Sequence, residues 1–142
     1  MKKKWKYQIR IFLNEERAKL ARKDPIDTSL ARLNKVLSKH QACLKCQYDA
    51  FSEYCALAEE SGETNQPLYR WTKSTLADPK KVKKFMQSFS CYIKGDEIYE
   101  KHKADALEID LAPLVDEGLI ESLKKHDSNP VKNPQPPSKF TM

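Results

Sequence analysis

"HQACLKCQYDAF", residues 40–51, decides the fold. Before it, Leu30, Leu33, Val36, Leu37 and His40 fall on one face of a helix opened by Asp27 or Thr28. Two readings then compete. In one, the helix runs on to Gly62, and Leu44, Phe51, Cys55 and Ala58 extend its stripe. That helix is long against a typical length of about 11–12 residues. In the other, it ends near Gln41. Residues 42–48 are then a strand, with Leu44, Cys46 and Tyr48 alternating against Lys45 and Gln47. Asp49 caps a new helix over "AFSEYCALAEESG". The broken reading is preferred, because it needs no helix of exceptional length.

Working outward, Trp5, Tyr7, Ile9, Ile11 and Leu13 alternate with Lys4, Lys6, Gln8, Arg10 and Phe12. Period two predicts a strand with one buried face. Asn14 caps a helix over "EERAKLARK", with acids in its first turn and bases in its last, and Pro25 ends it. A helix over Pro67–Leu76 is anchored by Tyr69, Trp71 and Leu76. In "DPKKVKKFMQ", Asp78 is the N-cap, Pro79 takes the first helical position, and Val82, Phe85 and Met86 form the apolar side.

In "SFSCYIKGDEIYE", Phe89, Cys91 and Ile93 alternate, and Gly95-Asp96 forms a two-residue turn. Ile98 then resumes opposite Ile93 as a hairpin. Residues 103–117 predict an amphipathic helix with Ala104, Leu107, Leu111 and Leu114 inward, kinked at Pro113 and ended by Gly118. "LIESLKKH" is the last strand.

This order predicts an α+β fold: a ferredoxin-like β-α-β-β-α-β sandwich with extra helices inserted in the first crossover. Strands joined by crossovers are expected to pair parallel, with right-handed connections. A strand at 42–48 would be a fifth. Residues 1–126 are read as a single domain, and 127–142 as a Pro-rich extended or disordered tail. Within the tail, "PQPP" fits a loose polyproline-ligand pattern, which is mostly compositional.

No apolar run approaches the ~18 residues of a membrane span. The N-terminus has a basic start without the apolar core of a signal peptide. Four cysteines without a secretion signal point to free thiols and a cytoplasmic location. The net charge is +6, but Lys2, Lys3, Lys4 and Lys6 supply most of it. Lysine also far outnumbers arginine, the residue of bidentate phosphate recognition. Charge alone therefore gives little support to nucleic-acid binding.

The histidine and cysteines of residues 40–46 raise a metal site. His40, Cys43 and Cys46 are its candidates. No second close pair follows, and a strand sends Cys43 and Cys46 to opposite faces, so no closed zinc site is expected. A redox pair would want a helix N-terminus. The three glycines are all taken by turns and helix ends, which leaves no phosphate loop, and no nucleophile elbow or H-E-x-x-H appears. Neither a cofactor nor a catalytic constellation is read, and the chain is expected to be non-catalytic.

One sheet face remains. Tyr7, Ile9, Ile11, Phe89, Cys91, Ile93, Ile98 and Leu123 are expected to pack on helices. Lys6, Gln8, Arg10, Phe12, Tyr92, Tyr99 and Lys124 are expected on the other side. An aromatic and basic face of this kind wants cover from a homo-oligomer or a protein partner. Single-stranded nucleic acid, stacked on Tyr92 and Tyr99, is the alternative. An enzyme with a pocket between sheet and helices, using His40 or a tyrosine, is the third reading.

Overall fold

The computed structural model describes residues 6–24 and 26–128. In chain order the elements are β1 (Tyr7–Phe12), α1 (Glu15–Lys23), a short 3-10 turn (Thr28–Leu30) and α2 (Ala31–Lys39). Then come β2 (Ala42–Cys46), α3 (Gln47–Ser61), α4 (Pro67–Leu76) and α5 (Pro79–Met86), followed by β3 (Ser88–Ile93), α6 (Lys101–Asp116) and β4 (Ser122–Asp127). Of the tail expected over 127–142, Asp127 ends β4 instead, and residues 129–142 lie outside the described residues, as do Trp5, the lysines before it and the expected stop at Pro25.

The helix does break after His40. Gln41 has a φ of 53°, a left-handed backbone that an α-helix of L-residues does not continue through. Residues 42–46 then pair with β3 as a strand. The next helix starts at Gln47 rather than after Asp49, and its N-cap position is Cys46, with no side-chain capping bond. Its far end is a Gly62 cap with φ 77°, where the Glu63 N–H donates to the Ala58 carbonyl at 2.8 Å.

Two other caps act as expected. Asn14 Oδ1 accepts the Arg17 N–H at 2.8 Å, and Asp78 Oδ1 accepts the Lys80 N–H at 3.0 Å ahead of Pro79. Each cap satisfies a donor that the first turn would leave open, worth about 1 kcal/mol.

The sheet order is β2-β3-β1-β4, and every neighbouring pair is antiparallel. Three expectations are corrected here. Pairing across the connections is not parallel, because β3 stands between β1 and β2, and β1 stands between β3 and β4. The first crossover holds only α1, the 3-10 turn and α2. The additional helices α3, α4 and α5 join β2 to β3 instead.

The third correction concerns the hairpin, which is one residue out of register. Lys94 and Gly95, with φ 51° and 83°, form the turn, and Ile93 bridges Asp96. After that bridge the chain bends through Glu97 and Ile98, and Tyr99 exchanges backbone hydrogen bonds with Tyr7 at 2.7 and 2.9 Å. No regular second arm forms, so the sheet has four strands among the described residues.

Ile9, Ile11, Phe89, Cys91 and Ile93 pack with Leu33 and Leu37 of α2 and with Ala104, Leu107, Leu111 and Leu114 of α6. The α6 stripe is the one read from its spacing. Each large side chain buried this way removes apolar surface worth about 1.5–3 kcal/mol. The α3–α5 insertion has its own small cluster, in which Phe51 meets Trp71 and Phe85 edge-on at 5.8 and 4.9 Å between centroids. It is tied to the sheet where Cys46 Sγ lies 3.4 Å from the Phe85 carbonyl. No helix among the described residues is long and apolar enough to cross a membrane.

Candidate functional site

The face of the sheet opposite α2 and α6 is built by register. Lys45 pairs with Ser90, Ser90 with Arg10, and Arg10 with Lys124, which sets one residue from each strand in a single row. Alternation puts Cys43 and Tyr92, which pair with each other, on the same face. Phe12, paired with Ser88, and His126, paired with Gln8, join them there.

The expected members are not equally available. Lys6 and Lys124 are exposed, whereas Arg10, Phe12 and Tyr92 are half-buried. Gln8 is buried, held by two hydrogen bonds. Its Nε2 donates to the Glu97 carbonyl at 2.8 Å, and its Oε1 accepts from Arg10 Nε at 2.7 Å. Gln8 therefore orients the guanidinium and does not itself face a partner. Burial lowers the Arg10 pKa, and the nearby Glu97 carboxylate opposes that shift.

Tyr99 does not belong to this face. It is buried in the core cluster, and its hydroxyl accepts the Ile9 N–H and donates to the Cys91 carbonyl. Burial is the main reason its phenol is pushed well above the ordinary range. Ile98, expected inside, is 39% exposed. Both reversals follow from the shifted turn, since a one-residue slip sends a strand's side chains to the opposite faces.

Lys45, Ser90 and His126 belong to the face but were not read there. The signal was present for two of them, because Ser90 lies two residues from Tyr92 and His126 two from Lys124, whereas no residue of β2 had been assigned to the face. His126 is the notable addition. Its Nδ1 is buried without a hydrogen-bond partner among the described residues. Burial, helped by the positive charges of Arg10 and Lys124, pushes its pKa down to about 4. At neutral pH it is an uncharged ring beside two cations.

The metal candidates do not converge. His40 Nε2 lies 2.7 Å from Asp110 Oδ2, which also meets Lys39 Nζ at 3.0 Å. These two partners hold the Asp110 carboxyl below its usual range. Cys43 is exposed, whereas Cys46 is buried in the core cluster on the opposite side of the same strand. Among the described residues, no three His, Cys, Asp or Glu side chains are grouped to hold a metal.

Compared with family models, curated proteins and solved structures, the chain matches none.

Proposed function

We propose that the chain is a non-catalytic binding module whose sheet face docks an acidic protein surface. One observation carries the reading: the row Lys45, Ser90, Arg10, Lys124 crosses all four strands. It spans about 14 Å at the usual spacing of strands. Lys45 is paired with Glu53, while Arg10 and Lys124 form no ion pair among the described residues. Stacking two copies of this face would oppose like charges, which disfavours self-association through it.

Single-stranded nucleic acid is the second reading, because the same cations would suit phosphates. The aromatics argue against it. Tyr92 lies four positions from Ser88, the partner of Phe12, so the two rings stand about 13 Å apart along the strands. That spacing does not offer adjacent bases a continuous platform.

The ferredoxin-like reading of the topology is part of this proposal. From the other edge the order is β4-β1-β3-β2, the arrangement of two interleaved β-α-β halves, each with a strand of the other between its own pair. A cytoplasmic location is likewise proposed, and the four free cysteines support it.

Calorimetric titration with poly-L-glutamate and with a single-stranded oligonucleotide of equal charge tests the function. Glutamate polymer should bind, and Arg10→Gln with Lys124→Glu should abolish that binding. Tighter binding of the oligonucleotide, weakened by Tyr92→Ala, would replace this reading with the nucleic-acid one. A dimer by light scattering that dissociates in Lys124→Glu would replace it with self-association.

A further inference from the structure

α1 spells "EERAKLARK" and α5 spells "PKKVKKFM". Separated in sequence, α1 reads as a charged surface helix and α5 as a basic helix with an apolar side of Val82, Phe85 and Met86. Folding makes them two walls of one groove. Its floor is Ala18, Leu76, Val82 and Met86, and its rim carries Lys19, Lys23 and Lys83. The cavity is about 560 Å³, within the range of small-molecule sites, ~300–1,000 Å³.

Two observations mark the groove as chemically two-sided. On α5, Val82 and Met86 stand one turn apart and stay half-buried, and no residue of that helix is fully buried. An amphipathic helix normally covers its stripe. The rim, for its part, is cationic, and three of its four cations have no ion-pair partner among the described residues. Arg22, also at the rim, is held by Asp49 through bonds of 3.2 and 2.8 Å. Lys19, Lys23 and Lys83 have no ion-pair partner among the described residues, and the rim's one acid is Glu15.

We propose that this groove binds an aliphatic carboxylate of the fatty-acid type. The hydrocarbon chain lies on Ala18, Leu76, Val82 and Met86, and the carboxylate meets the ammonium groups of Lys19, Lys23 and Lys83. The lysine stems add apolar wall while their heads reach the anion. A nucleic acid suits the site poorly, because no aromatic side chain lines it to stack a base. A neutral hydrocarbon would draw no attraction from the three ammonium groups, which would stay hydrated. None of these residues lies on the sheet face, so the proposal stands independently of the function argued above.

The test is calorimetric titration of the full chain with dodecanoate below its micellar concentration. One saturable site is expected, with affinity falling about tenfold for each two-carbon shortening of the chain. The double variant Lys19→Glu, Lys23→Glu should bind at least tenfold more weakly, and Met86→Glu should not bind. Lys19→Gln with Lys23→Gln, which only removes charge, should fall between wild type and the reversal. All of these lysines are exposed, so melting curves should stay close to wild type.

Equal affinity for dodecyltrimethylammonium, or an unchanged affinity in Lys19→Glu, Lys23→Glu, would overturn the proposal. So would binding confined to anionic phosphatidylglycerol vesicles, which would make the groove a membrane contact. A dimer that dissociates in Met86→Glu would show that a second copy fills it.

Discussion

The Tyr99 hydroxyl stands between paired residues, accepting the Ile9 N–H at 2.7 Å and donating to the carbonyl of Cys91 at 2.9 Å. A side chain thus carries a link of the β1–β3 ladder in the middle of the core. Tyr99→Phe keeps the ring and deletes the bridge, leaving a buried donor and a buried acceptor unmet. The expected loss is about 1–3 kcal/mol in urea denaturation. Exchange of the Ile9 amide should accelerate with it. A loss smaller than about 0.5 kcal/mol would mean the strands close the gap themselves.

The four thiols should separate into one and three. Cys43 is exposed, whereas Cys46, Cys55 and Cys91 are buried. Burial also raises the Cys91 thiol to about 12, so little thiolate exists to react. Native protein treated with a disulfide reagent should release one equivalent quickly and the rest only on unfolding. Cys43→Ser should remove the fast phase. Cys91→Ala should lower stability by about 1 kcal/mol, as a small core truncation does.

Acid should weaken the fold through His126. In the unfolded chain this ring titrates near 6.5, and in the folded chain at about 4. Between those values the unfolded state binds more protons, so stability rises with pH across the window. The contribution is complete above about pH 7 and is lost as pH falls toward 4; below that, this residue adds no further loss. Because the ring is only half-buried, solvent screening reduces the effect to roughly 1–2 kcal/mol. Denaturant midpoints at pH 7 and 4.5 should differ more in wild type than in His126→Gln. Equal differences would show that the ring is free to protonate in the fold.

The Lys94–Gly95 turn has both central residues at positive φ, the geometry in which asparagine is favoured at the first position. Lys94→Asn should raise stability by about 0.5–1 kcal/mol, since lysine bears strain there. Its backbone N–H donates to the Gln41 carbonyl at 2.9 Å and is untouched by the change. A melting temperature that stays fixed or falls would contradict this account.

Much of the fold was legible because local chemistry and burial agreed. Asn14, Asp78 and the α6 stripe Ala104, Leu107, Leu111 and Leu114 each behave as their spacing implies. The face of β1 was readable for the same reason. What failed was register. Gly95 signals a turn but does not say which side of it the second turn residue occupies, and choosing Asp96 over Lys94 put Tyr99 on the wrong face. The position of the extra helices was lost to an equally local ambiguity. The span from Gln47 to Gln87 contains no signal of which strands it connects.

The groove between α1 and α5 was invisible for another reason. Charge counted along the chain cannot show that Lys19, Lys23 and Lys83 share one rim.

The strand order also has a consequence for how the chain comes to be folded. Ile9 pairs with Cys91, Tyr7 with Asp127, and Cys46 with Phe89. Every ladder joins segments remote in sequence, so each requires a long loop to close before any pairing stabilises it. Such high contact order slows folding relative to helical domains of the same size. The order also constrains synthesis: β1 emerges before the other three strands yet acquires its β4 neighbour only once Asp127 has left the ribosome. Until then Ile9 and Ile11 lack part of their cover, and this part of the nascent chain is exposed to aggregation.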